Sequence, residues 1–323
     1  MPEVSVLMPV KNAASFVRQA VESVLHQSDV ELELVVIEDG STDDSADIVA
    51  SLQDRRIRVL SGNRKGIAEA LNLGLEAAEG AFVARCDADD IWAAGRLIRQ
   101  VLWLREHGEF GAISGSYAAL DARGDISVPL HVEGEEGEIT DELRSGILRT
   151  SLCTFLIRTD TARRMGGFRS YFVTAEDIDF QLRLGETTRV WYDPALTYFY
   201  RLHDASITHC QAQALREFYE KTALEFQRQR KQRGADALEL GCPPSPPEPT
   251  IKEPSSAVAQ LRGYLIGNSW TLFDRGELAA SWRSAWRACR VSPLSVASWR
   301  NLTVLSWKIL RRLITGNMDL SHR

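Results

Sequence analysis

Three carboxylates in four positions, Asp87, Asp89 and Asp90 in the run DADD, follow directly on the apolar segment AFVARC. Like charges crowded at the end of a strand destabilise a fold unless a cation or a donor-rich ligand neutralises them. Hard oxygen donors of this kind suit Mg2+ or Mn2+ and leave coordination positions for phosphate oxygens. The plainer alternative is an acidic loop in which Asp90 caps the next helix. A second acidic cluster, Glu38-Asp39-Gly40-Ser41-Thr42-Asp43-Asp44, closes another apolar run. Gly40 permits a tight turn there, Ser41 or Thr42 can cap a helix, and Asp39 can offer acceptors to a base or a ribose. A strand–turn–helix boundary with no ligand would read much the same. The third pair, Glu176-Asp177, sits among Phe172, Ile178 and Phe180. An apolar setting raises a carboxyl pKa toward that of a general base, while a helix start capped by Thr174 explains the same acids through the macrodipole. His203, between an aromatic strand and a small polar turn, is either structural or a metal ligand.

These residues need a frame that brings them together. Val4–Pro9, Leu32–Glu38, Ile57–Leu60 and Ala81–Cys86 read as strands, and residues 16–25, 43–52 and 66–78 as the helices between them. Such alternation predicts an α/β fold whose mostly parallel sheet is flanked by helices, with ligands bound beyond the carboxyl ends of the strands. The polar clusters fall at those ends. A helix is expected over 92–106, a less regular stretch to about residue 150, strands at 151–158 and 189–201, and a long helix over 211–233. Six of the eleven prolines lie between 243 and 254. The predicted organisation is a catalytic domain over 1–240, a Pro-rich linker over 241–256 and a helical C-terminal region over 257–323.

Composition narrows the function. With 44% hydrophobic and 25% charged residues the chain reads as globular, and a net charge of −6 argues against nucleic acid as a partner. Five cysteines, never closer than 32 residues, suggest neither a disulfide framework nor a metal knuckle and point to a reducing, cytoplasmic setting. No uncharged run approaches the ~20 apolar residues of a membrane span. The P-loop, dinucleotide, zinc-protease and serine-hydrolase signatures are absent, so the carboxylates must carry the chemistry.

Taken in order, VSVLMPVKN, VVIEDGSTDDS, the GIAEALNLGL segment, ARCDADD, the GGF turn, AEDIDFQLRL and YRLHDAS resemble the family-two inverting glycosyltransferases, which have the A-type glycosyltransferase fold, across roughly residues 3–210. The resemblance implies a nucleotide-sugar pocket drawing on Pro9, Val10, Asn12, Glu38, Asp39, Gly66, Asp87, Ala88 and Asp89, a UDP-sugar being the favoured donor. It implies Mn2+ or Mg2+ held through Asp89, Asp90 and His203, Asp177 as general base, and an acceptor side at Gly167, Phe168 and Glu176. The acceptor would be a glycan or a lipid-linked saccharide, in cell-surface polysaccharide or glycolipid biosynthesis. One departure is local: Ala94 and Gly95 stand before Arg96-Leu97, where relatives often carry a proline and an acid. Two rivals use similar sheets. A nucleotidyltransferase would need a glycine- and lysine-rich loop after the first strand, and PVKNAAS has no glycine. A non-catalytic nucleotide-binding module gives no reason for DADD and AED in one chain.

Residues 257–323 hold ten Lys or Arg against three Asp or Glu. On a helical wheel of 299–314, Trp299, Leu302, Trp307, Ile309, Leu310, Leu313 and Ile314 share one side and Arg300, Lys308, Arg311 and Arg312 the other. That pattern predicts a helix at an anionic membrane surface, peripheral at the inner face, or a helix packed by its apolar side.

Overall fold

The computed structural model describes residues 1–125, 127–130, 135–204, 206, 213–247 and 256–319, with side chains up to Ile314. Much of the Pro-rich linker lies outside the described residues. The chain begins β1 (Val4–Val10), α1 (Val17–Leu25), β2 (Leu32–Glu38), α2 (Ser45–Ser51), β3 (Ile57–Ser61), α3 (Ile67–Ala77) and β4 (Phe82–Arg85), close to the predicted strands and helices. Next come β5 (Ile91–Trp92), α4 (Arg96–Glu106), β6 (Phe110–Leu120), β7 (Ser127–Leu130), β8 (Gly137–Glu138), α5 (Thr140–Arg144), β9 (Leu156–Arg158), α6 (Thr159–Arg164), α7 (Glu176–Thr187) and β10 (Arg189–Arg201). α8 (Gln213–Arg233) and three tail helices, α9 (Ala257–Asp274), α10 (Leu278–Val291) and α11 (Val296–Asp319), complete it.

The sheet order is β3-β2-β1-β4-β9-β6-β10-β5. β3, β2, β1 and β4 are parallel, but β9 runs antiparallel to both β4 and β6, so the sheet is mixed and its parallel part is the N-terminal half alone. Strand periodicity divides its side chains between two cores. Val4, Val6, Met8 and Val10 of β1 meet α1 and α4 on one face, while Leu7, with Val35 and Ile37 of β2, meets α3 on the other. Coverage on both faces is why these strands read as unbroken apolar runs.

Three expectations needed revision. The stretch after residue 106 contains the eleven-residue strand β6, whose Gly111 and Gly115 interrupt the strand pattern. A Cβ on Gly111 would stand 2.3 Å from the side chain of Thr188, between α7 and β10, and one on Gly115 2.3 Å from Thr197 of β10, so the glycines mark close approach of that segment. Residues 152–154 form a 3-10 turn, and the strand there shortens to β9. α4 starts at Arg96 after Gly95 at φ 71°, so Asp90 caps no helix.

The chain forms two compact units, the first holding residues 1–118, 131–200 and 212–252 and the second 119–130, 201–211 and 253–323. In the second, the tail helices pack on one another, α9 contacts β7, and the Asp204 carboxylate accepts the N–H of Ala257 at the start of α9 (2.8 Å). His203 of the adjoining turn belongs to this unit.

Candidate active site

The carboxyl ends of β2, β1 and β4 lie side by side in the first unit. Asn12 (φ 52°), two residues past β1, laces its loop to the neighbouring one: its amide oxygen accepts the N–H of Thr42 at 2.8 Å, and its own N–H donates to Ser41 at 3.2 Å. Asp43 completes the seam by accepting from Ala14 at 3.0 Å. Glu38 is turned back on its own loop, accepting the N–H groups of Gly40 and Ser41. Burial alone would raise its pKa, but those hydrogen bonds and the Arg64 charge hold it below the usual carboxylate range. Asp39 is buried, with its N–H on the carbonyl of Val10 (2.9 Å) and one carboxylate oxygen accepting the N–H of Arg64 (2.7 Å). Gly62 leaves room for it, since a Cβ there would fall 2.6 Å from that oxygen. Pro9 pairs with Ile37 in the sheet, and Gly66 opens α3 at φ 98°, a conformation natural to glycine.

At the end of β4 the acids take different roles. Arg85 grips Asp87 with two hydrogen bonds, at 2.6 and 3.0 Å, and reaches Glu176 with a third at 3.0 Å. Burial works against its charge, but Asp87 and Glu176 raise its pKa well above the ordinary value. Ala88 is buried and Asp89 partly exposed. Asp90, expected as a cation ligand, is 1% exposed and accepts the Tyr198 hydroxyl at 2.6 Å, while that hydroxyl receives the N–H of Asp87 at 3.2 Å. Beneath them Arg96 is fully buried over the Trp92 ring at 4.1 Å, donating to the carbonyl of Phe155 at 3.0 Å. Burial lowers its pKa to about 10. Among the described residues no three His, Cys, Asp or Glu side chains gather as a ready-made cation cage. The donor set instead fits a hard cation held by one or two carboxylates and otherwise by phosphate oxygens and water, the usual Mg2+ arrangement.

Glu176 and Asp177 open α7, preceded by Ala175 at φ 62°; Thr174 makes no cap. Burial pushes Glu176 up to about 7, despite Arg85 beside it and with the Asp177 charge adding to the rise. Burial also raises the Asp177 carboxyl above its usual range, against the pull of Arg85. One Asp177 oxygen accepts the N–H of Ile178 (2.9 Å). The helix is fixed from below: Asp179, fully buried, pairs with Arg169 and with Arg183 (2.8 Å), and Arg183 donates to the carbonyls of Met165 (3.0 Å) and Gly167 (2.7 Å). Asn72 of α3 clamps the same turn, receiving the N–H of Phe168 and donating to its carbonyl, both at 2.8 Å. A Cβ on Gly167 would strike Asn72 at 2.4 Å.

The structure therefore brings Asp87, Glu176 and Asp177 together and sets Asp39 and Asn12 along the same strand ends. Phe168 and Glu176, expected on the acceptor side, have structural partners: Phe168 stacks on Phe180 at 4.5 Å and Glu176 is paired with Arg85. Sequence reasoning missed Arg85, Asn72 and Tyr198. A signal existed for Arg85, an arginine inside an apolar strand two residues before Asp87 and so on the same face.

Comparison with known proteins agrees with this architecture. A glycosyltransferase of Haemophilus influenzae, otherwise uncharacterized, is 35% identical over 127 residues, 38% of this chain and 50% of that one. The Escherichia coli UDP-Glc:alpha-D-GlcNAc-diphosphoundecaprenol beta-1,3-glucosyltransferase WfaP is 32% identical over 122 residues, 38% of this chain and 49% of that protein. The chain thus spans half or less of the length of these relatives. Among solved structures, S. aureus TarS 1-349 in complex with UDP-GlcNAc aligns with a TM-score of 0.59 at 17% identity, covering 97% of this chain and 92% of that one. The mannosyltransferase PcManGT from Pyrobaculum calidifontis, in complex with GDP-Man and Mn2+, aligns at 0.52 and 19% identity, covering 96% and 81%. Residues 5–177, more than half of the chain and the stretch that runs from β1 to Asp177, match the family described as Glycosyl transferase family 2, and the chain belongs to that family.

Proposed function

We propose that the protein transfers a sugar from a nucleoside-diphosphate sugar to a hydroxyl of a glycan or lipid-linked saccharide, with inversion at the anomeric carbon, in polysaccharide or glycolipid biosynthesis on the cytoplasmic side of the membrane. The observation that carries the reading is the Arg85 bridge, which ties the carboxylates at the end of β4 to the acids that open α7. Donor-binding groups and a general base must face one anomeric carbon, and this bridge sets their spacing. Asp39 and the Asn12 loop would hold the nucleoside, and Asp87 the ribose. Asp89 would hold Mn2+ or Mg2+ together with the diphosphate. When bound, that cation supplies positive charge against the charge developing on the leaving diphosphate.

Asp177 performs the proton step. Its carboxylate accepts the proton of the acceptor hydroxyl as the hydroxyl oxygen forms the new bond to the anomeric carbon, while the bond to the diphosphate oxygen breaks and its electron pair leaves with the diphosphate. A carboxyl raised by burial is a stronger base than an exposed one, which suits it to a weakly acidic hydroxyl. A UDP-sugar is the favoured donor, supported by the UDP-glucose named for the E. coli relative and the UDP-GlcNAc bound to TarS.

The test is release of nucleoside diphosphate from a panel of UDP- and GDP-sugars, with Mn2+ and with chelator. One donor should turn over, chelator should stop it, and Asp89→Ala should abolish it with the fold intact. Turnover unaffected by chelator and by Asp89→Ala would remove the cation from the reading. Turnover of a nucleoside triphosphate with a sugar phosphate would favour a nucleotidyltransferase.

A further inference from the structure

The outer face of the tail carries none of the residues assigned above to glycosyl transfer. Helix α11 is apolar on two sides, a pattern not expected of a helix with water on one of them. Inward, Leu302, Leu305 and Ile309 pack with Ala285 and Cys289 of α10 and with Trp270 and Phe273 of α9. Outward, Trp299, Trp307, Leu310, Leu313 and Ile314 remain 44–57% exposed. The single apolar side expected from the helical wheel is thus two faces, one packed and one bare.

α10 widens the bare face. Trp282 and Trp286, one turn apart and 41% and 40% exposed, stack at 5.9 Å. Trp286 meets Trp299 edge-on at 6.0 Å, and the Trp282 indole donates to the Ser306 hydroxyl at 3.1 Å. These contacts join the two helices into one apolar strip bearing four exposed indoles. Between Glu277 and Asp319 there are seven Lys or Arg and no acid, and all seven are exposed. Arg311 lies over the Trp307 ring at 5.6 Å, which places a guanidinium at the edge of the strip.

We propose that this face of α10 and α11 docks on an anionic lipid bilayer, the helices lying along the surface with indoles at headgroup depth and basic side chains on lipid phosphates. Amphipathic indoles and an acid-free basic rim are what such an interface selects. Lys308 over the Trp270 ring (5.0 Å) and Arg312 on the carbonyl of Phe273 (2.7 Å) are turned to α9, and self-association is disfavoured because a two-fold interface would set the remaining positive charges, Arg311 among them, against the same charges. Among the described residues no helix is long and apolar enough to cross a membrane, so the contact is superficial. The inference does not rest on the identity of the sugar or the acceptor.

Flotation of the full chain with vesicles of phosphatidylcholine containing about one third phosphatidylglycerol tests it. Binding should appear on these vesicles, be absent on pure phosphatidylcholine, and weaken as salt rises to about 0.5 M. The variant Trp307→Ser/Leu310→Ser/Leu313→Ser should partition at least about tenfold less while melting as the parent does, since all three side chains are exposed. Brominated lipid should also quench the indole fluorescence of the unmodified chain. Four results overturn the proposal: no binding to the anionic vesicles at low salt, equal binding to neutral ones, binding without quenching, or a triple variant that melts and binds as the parent does. A concentration-dependent dimer that the triple variant loses, with no lipid binding, would instead assign the face to a second copy.

Discussion

Replacing Arg85 with Gln separates the two halves of the site. Arg85 makes three charge-assisted hydrogen bonds, with side-chain exposures of 10% for itself, 21% for Asp87 and 7% for Glu176. Removing one partner of a buried pair typically costs ~3–5 kcal/mol, because the other charge stays behind without compensation. Here two charges remain, but Asp87 reaches water and Glu176 can take up a proton near neutrality, so the expected loss is at the low end, about 3 kcal/mol above pH 8. At ~2–4 °C per kcal/mol for a domain of this size, the melting temperature should fall by roughly 6–12 °C.

The pH dependence identifies the cause. The Glu176 carboxyl is raised in the fold to about 7, above its usual 4.5, so the native state keeps a proton that the unfolded chain releases between those values. Stability from this group is therefore present at low pH and declines as pH climbs through that window. Without Arg85 the folded pKa climbs further and the decline steepens. The difference between parent and Arg85→Gln should therefore be smaller by ~1–2 kcal/mol near pH 5.5, where Glu176 is neutral in both, than near pH 8.5. Urea melts of cation-free protein at the two pH values measure this. Equal differences at both would refute the idea that Glu176 ionises against Arg85. Arg85→Lys keeps the charge but not the two-pronged grip on Asp87, so it should recover at least half of the stability and little of the donor turnover.

Asp177→Asn should leave donor affinity in place and lower kcat by ~10²–10⁴ in a steady-state assay; loss of affinity with kcat preserved would make Asp177 a binding residue. In the parent, the acid limb of the kcat profile should lie above the ordinary carboxylate range, because the raised Asp177 carboxyl must lose its proton before it can act. Asn72→Ala removes both hydrogen bonds that clamp Phe168 and leaves a backbone pair without partners, so a loss of about 2 kcal/mol in a urea melt is expected. Tyr198→Phe strips the buried Asp90 of a hydroxyl donor and should cost ~1–3 kcal/mol while leaving the Asp89 carboxylate in place.

The parallel half of the fold was legible because each of its strands is buried on both faces and reads as a short apolar run ending in polar residues. The antiparallel half was not. β6 carries glycines where β10 presses on it, so its pattern records a contact with a strand some eighty residues away and not its own conformation. The acidic clusters at the strand ends were legible as clusters, although a strand–turn–helix boundary reads much the same. Their individual partners were not. Glu38 is taken up by a turn, Asp39 by the N–H of Arg64 and Asp90 by a hydroxyl from β10, partners that only folding supplies.

Arg85 shows why the residue types at a site carry less information than their pairing. Three acids in four positions suggested a cation as the neutralising charge, but the protein supplies part of that charge itself from the same strand face. Held between Asp87 and Glu176 at the end of β4, this charge is a fixed part of the fold. Glu176 is buried, and its bond to Arg85 fixes the first turn of α7, and so the position of Asp177 beside it.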